Sequence, residues 1–130
     1  MKKFPSYYRT LFFILLLLVA PQIHEAQNVI VPAKDKGKSS PLIFNASTTN
    51  AGKALYEVNC QSCHGNPGKG NYLRGLNPPP ADLGSEQAQN QTDGELFYRI
   101  SEGNPIMPKF KATLSENERW ELVSFIRSFN

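Results

Sequence analysis

Residues that bind metals or form crosslinks are scarce in this chain. Its 130 residues include two cysteines, two histidines, two methionines and one tryptophan. A structural zinc site takes four ligands. Only Cys60, Cys63, His24 and His64 could supply them, and His24 falls in a segment expected to be removed. Long apolar runs are also absent. The run Leu11–Ala20 is ten residues, whereas a helix needs about 20 to cross a bilayer. Charge of either sign is thin, with 14 basic and 11 acidic side chains. No basic stripe or recognised binding motif stands out, so no nucleic-acid partner is expected. Hairpin signals, heptads and internal repeats are missing too, which leaves a helical reading of the chain.

Lys2, Lys3 and Arg9 precede the apolar run, the layout of a secretory signal peptide. Residues 1–26 are expected to be that signal, with cleavage after Ala26 exposing Gln27. Cleavage after Ala20 would place Pro21 next, which such proteases tolerate poorly. The competing reading is an uncleaved membrane anchor, which the short run disfavours. The chain is therefore expected to be exported and periplasmic, or membrane-associated if the segment stays. Its removal leaves about 100 residues, one small domain. It also lowers the formal net charge from +3 to about +1.

Cys60-Gln61-Ser62-Cys63-His64 is the most informative run. This Cys-x-x-Cys-His arrangement attaches a c-type haem. Two thiols about one helical turn apart add to the two vinyl groups, and the adjacent histidine is placed under the iron. A redox-active dithiol would sit at a strand-to-helix junction, and no strand precedes Cys60. Export agrees with the motif, because haem would consume two thiols that an oxidising compartment would otherwise pair.

The sixth iron position then needs a ligand. Without residues 1–26, His64 is the one remaining histidine and Met107 the one remaining methionine. Met107 stands between Pro105 and Pro108, which restrict the loop. The alternatives are Met107 as a core gap-filler and a five-coordinate iron open to gas or peroxide. His/Met ligation would raise the reduction potential. The other ring nitrogen of His64 is expected to bond a backbone carbonyl, with Pro78, Pro79 and Pro80 as candidates.

Around these residues the chain reads as all-α, with about three main helices and long loops wrapped around one covalent haem. Residues 27–45 form an extended leader or linker, and 46–130 the folded domain. The leader's Lys34–Pro41 stretch is rich in charge and helix breakers, while Leu42-Ile43-Phe44 offers apolar side chains for docking. A first helix is expected from about Asn50 to Cys60 or Cys63, capped by Thr48, Thr49 or Asn50. Residues 65–91 are mostly irregular, the kind of long loop that wraps a ligand. A second helix spans about Asp93–Glu102 behind a Thr92/Glu95 capping box. The last runs from about Ser115 to Phe129 behind a Ser115/Glu118 box, with Trp120, Leu122, Val123, Phe125, Ile126 and Phe129 giving a broad apolar face.

From about Asn50 to Phe129 the chain resembles mono-haem class I c-type cytochromes. The resemblance rests on Gly52-x-x-x-Tyr56, Cys60-x-x-Cys63-His64-Gly65, Met107-Pro108 and Trp120-x-x-Val123-x-x-Ile126-Arg127. It implies steeply crossing first and last helices that approach at Gly52, with Tyr56 on the last helix and Trp120 in the core near the haem. It also implies thioether links at Cys60 and Cys63 and axial ligation by His64 and Met107, with one haem c as cofactor.

The function this implies is one-electron transfer between redox protein partners, without enzymatic activity or a small-molecule substrate. A six-coordinate iron leaves no open site. Lys53, Lys69, Lys109 and Lys111 could steer an acidic partner, or be ordinary solvated lysines. Two rival readings are a fixed electron-transfer subunit of a membrane reductase or oxidase complex, and a haem enzyme or gas sensor with an open iron.

Overall fold

The structure is a computed structural model that describes residues 29–71, 73 and 75–129. The expected signal segment and its cleavage point lie outside the described residues. Among the described residues there are six α-helices, one 3-10 turn and no strand. We number the helices α1 (Ala33–Lys36), α2 (Ala46–Asn59), α3 (Gln61–His64), α4 (Glu86–Gln89), α5 (Asp93–Glu102) and α6 (Glu116–Arg127), with the 3-10 turn at Phe110–Ala112.

Three helices are long: α2, α5 and α6. Each begins at a complete capping box. Those of Thr92 with Glu95 and Ser115 with Glu118 are where the sequence placed them. The first helix differs from expectation. It starts at Ala46, not Asn50, because Asn45 is the cap. The Asn45 side chain accepts from Ser47 and Thr48 N–H, and Thr48 Oγ1 accepts from Asn45 N–H at 2.9 Å. The hydroxyls of Thr48 and Thr49, weak helix formers, meet Ser124 Oγ on α6 at 3.2 and 3.0 Å. Tertiary contacts thus support a first turn that the Asn45 cap opens with weak helix formers. At the other end, α6 stops at Arg127 with Ser128 as its cap, two residues short of Phe129.

The broadest helix–helix contact joins α2 to α6. At Gly52 a Cβ would run into the backbone carbonyl of Glu121, so the two backbones touch where a side chain would hold them apart. Tyr56, one turn on, lies 5.1 Å from the Phe125 ring and 5.6 Å from the Phe129 ring. The third helix adds Leu96, Phe97 and Ile100, which α5 presents on one face, and all three are buried. Trp120 and Val123 of α6 are fully buried, and Trp120 stacks on Phe97 at 4.1 Å.

The stretch read as a linker is built as a strap. Val31 is buried, Ala33–Lys36 is helical, and the segment lies across the start of α5. Thr92 Oγ1 donates to Lys36 O at 2.7 Å, and a Cβ at Gly94 would run into Asp35 O. Lys38 bonds Glu116 at 2.7 Å and sits 4.4 Å from the Phe97 ring centroid. Further along, Leu42 and Phe44 pack on the core, while Ile43 between them is 81% exposed. That alternation is the mark of an extended segment with one buried face.

Candidate functional site

Between the end of α2, the inner faces of α5 and α6 and the 76–83 segment lies a cavity of about 470 Å³. That is within the usual range for a small-molecule site. Cys60, Cys63, His64 and Met107 all line it.

The cysteines follow from how α2 ends. Cys60 N–H still donates to Tyr56 O at 2.9 Å, and the chain turns there into α3. His64 N–H then returns to Cys60 O at 2.9 Å, so both thiols and the imidazole ride on one short turn. Tyr56 fastens that turn from behind, its hydroxyl donating to Gly65 O at 2.7 Å. Burial raises the Tyr56 pKa and the nearby Cys60 adds to the effect, so the phenol stays a donor. Cys60 and Cys63 are unpaired. Burial first, and Cys63 second, push the Cys60 thiol up to about 12.

His64 Nδ1 lies 3.0 Å from the backbone carbonyl of Ala81. A carbonyl only accepts, so Nδ1 carries the proton and Nε2 keeps its lone pair. Burial lowers the His64 pKa, partly offset by the Ala81 bond, which favours the neutral, ligating form. The expected donors of this carbonyl, Pro78 to Pro80, are therefore corrected by one residue. Pro80 O lies against Gly70, and the next carbonyl along the chain faces the imidazole. Leu83 N–H, bonded to Gly68 O at 2.8 Å, holds that path.

Met107 packs against the core cluster from the loop after α5. Leu96, Ile100, Leu122, Ile126 and Phe110 form much of the apolar wall, and Pro78–Pro80 border it. Trp120, expected near this site, is buried but does not line the cavity.

Three residues of the site went unread in the sequence. Ala81 acts through its backbone carbonyl and Asn104 through its side-chain oxygen and N–H on the Met107 turn, and neither carries a motif. The third, Arg99, is the one Lys, Arg, Asp or Glu among the described residues lining the cavity. Its Nε donates to Gln91 Oε1 at 2.6 Å, and its two terminal nitrogens have no protein partner among the described residues. A planar fork of this kind suits a carboxylate. The clue lay in the α5 face, since Arg99 adjoins the inward-facing Ile100. The lysines proposed to steer partners are mostly paired locally: Lys53 with Glu57, Lys69 with Asp82, and Lys111 with Glu102. Among the described residues, no group of three His, Cys, Asp or Glu is arranged to hold a metal ion alone.

Residues 47–126 match the family described as "Cytochrome C oxidase, cbb3-type, subunit III". The chain belongs to this family of c-type cytochromes. Two relatives are described as "Cytochrome bc1 complex cytochrome c subunit". The Corynebacterium efficiens protein is 34% identical over 79 residues, covering 59% of this chain and 24% of that one. The Corynebacterium diphtheriae protein is 33% identical over 79 residues, covering 59% and 26%. The chain thus spans about a quarter of the length of these curated relatives. Among solved structures, the Kuenenia stuttgartiensis reducing HAO-like protein complex superposes with a TM-score of 0.58 at 26% identity. The match covers 70% of this chain and 47% of that one. The helical fold, with no strand among the described residues, agrees with the family. Membership implies covalently bound haem c. The cavity fits that group: two unpaired thiols, a neutral imidazole with one free nitrogen, a thioether and an apolar wall share one space.

Proposed function

We propose that the chain carries single electrons through one haem c. Cys60 and Cys63 would form its thioether links, and His64 Nε2 and Met107 Sδ would bind its iron. The single observation that carries this reading is the convergence of those four side chains on one apolar cavity. The bound iron would supply one-electron exchange between ferric and ferrous states. The chain's own residues do the rest. The Ala81 carbonyl orients the His64 ring. Met107 would take the remaining iron position, which would leave no substrate site and a role that is not enzymatic. The apolar wall would keep water from the macrocycle, and the Arg99 fork would suit a haem propionate.

The partners would be redox proteins, and the setting periplasmic or membrane-associated, as the N-terminal sequence suggests. The names of the two corynebacterial relatives, each a cytochrome c subunit of a complex, favour a subunit of a larger assembly over a free carrier. Co-purification of the full-length chain with membrane proteins tests that choice.

Two variants test the site. Met107→Ala should keep covalent haem, gain carbon monoxide binding in the reduced protein and lower the potential; an unchanged spectrum rejects the ligand. Cys60→Ala combined with Cys63→Ala should leave no haem on the denatured polypeptide; haem surviving acid extraction rejects the anchor.

A further inference from the structure

The loop that presents Met107 is closed by one side chain. Gly103 ends α5 at φ 60°, a conformation that favours glycine. A Cβ there would also run into Met107 O and lie 2.6 Å from Pro108 O. Asn104 follows. Its Oδ1 accepts from Ile106 N–H at 2.9 Å and from Met107 N–H at 2.8 Å. Its own N–H donates to Met107 O at 3.0 Å. Both backbone polar groups of Met107 therefore end on the same residue. The flanking prolines limit the loop's dihedrals but supply no N–H donor to it. Asn104 also lines the cavity.

We propose that Asn104 is the positioning residue for the Met107 thioether, holding the sulfur at the iron when the metal is ferric. This rests on the reading of Met107 as axial ligand. A thioether is a soft, neutral ligand, so it holds ferric iron less well than ferrous. Its occupancy then depends on how little freedom the loop must lose to place it. Asn104 removes that freedom before ligation by satisfying the turn internally. Without its side-chain oxygen, the Ile106 and Met107 N–H groups must seek water, and the turn opens to competitors.

The experiment measures binding of imidazole to the ferric, haem-loaded full chain. Asn104→Ala should keep covalent haem and bind imidazole at least about tenfold more tightly, since two backbone hydrogen bonds lose their acceptor. Its potential should fall. Asn104→Asp keeps an oxygen acceptor in place and should stay within about threefold of the parent, because the probe is neutral. Asn104→Ser, with a shorter acceptor, should lie between. If the alanine variant loses haem, the Ser and Asp variants carry the test, and equal affinities in them overturn the proposal. So does an alanine variant with parental affinity, or an aspartate variant as altered as the alanine.

Met107→Ala separates this proposal from the reading beneath it. That variant should bind imidazole most tightly, and adding Asn104→Ala to it should change nothing further, because Asn104 acts through Met107. An additive gain would show a general loosening of the loop and overturn the proposal. If Met107→Ala binds imidazole no better than the parent, the ligand assignment itself fails.

Discussion

Gly52 and Gly94 each lie where an added Cβ would strike a backbone carbonyl, that of Glu121 in one case and of Asp35 in the other. The contacts look alike, but their surroundings differ. At Gly52 two long helices meet over buried apolar and aromatic side chains, within the span matched by the family. At Gly94 a short strap crosses the first turn of α5, and the strap begins outside that span. Apart from Val31 and the docking of Leu42 and Phe44, polar groups hold it: Lys36 O to Thr92, Lys36 to Glu95 at 3.4 Å, and Lys38 to Glu116. The first contact joins the halves of the core. The second closes a cover over it.

The largest effect should therefore come from Gly52→Ala. The clash is with backbone, which cannot rotate away, so the crossing must part. Chemical denaturation should show a loss near or above the upper end of the usual 1–3 kcal/mol for overpacking. A loss below about 0.5 kcal/mol would mean the helices slide freely, and the contrast with Gly94 would collapse.

Gly94→Ala should do less to global stability and more to local order. Alanine gains up to about 1 kcal/mol of helix propensity, which offsets part of the lost strap contact. The denaturation midpoint should move little, while hydrogen exchange quickens at the Asp35, Lys36 and Lys38 amides. These donate to Pro32 O and Asp35 O within the strap. Unfolding as large as that of Gly52→Ala would show the strap to be part of the core.

The smallest effect is on pH. The Lys38 hydrogen bond holds the Glu116 pKa down. The Glu95 pKa is lowered first by the Thr92 N–H and then by Lys36. A carboxylate lowered on folding lends stability that is fully present above its unfolded pKa and lost as pH falls through the folded one. Strap protection should therefore fade as pH drops below the ordinary glutamate value of about 4.3. Lys38→Ala should remove most of the Glu116 share and leave the Glu95 share. Protection that stays flat across this acid range in the parent would show that the ion pairs contribute nothing to the strap.

How much the sequence revealed varied with distance along the chain. The α5 and α6 starts were legible because a capping box is written within four consecutive residues. The start of α2 was misplaced although its box is as local, because Asn45 pairs with Thr48 where the recognised pattern has a glutamate, and the Ser124 hydroxyl that also meets Thr48 and Thr49 is far away in sequence. That Cys60, Cys63, His64 and Met107 were named together from the sequence, and line one cavity, follows because the first three fall within one turn and the described residues hold no other histidine or methionine. The strap was not legible: its charged and glycine-containing stretch reads as linker until α5 is there to receive it.

By itself, then, the amino-acid order determined the local chemistry: where thiols and imidazole adjoin, where helices are capped, and which face of each is apolar. The fold alone decided which carbonyl orients His64, that Arg99 enters the cavity, that Asn104 closes around Met107, and that residues 31–38 lie across α5. The physical reason is reach. A cap or a motif is settled by bonds within one turn of chain, whereas the Ala81–His64 contact joins residues 17 apart. It exists only once the intervening loop has been bent and held by the rest of the molecule.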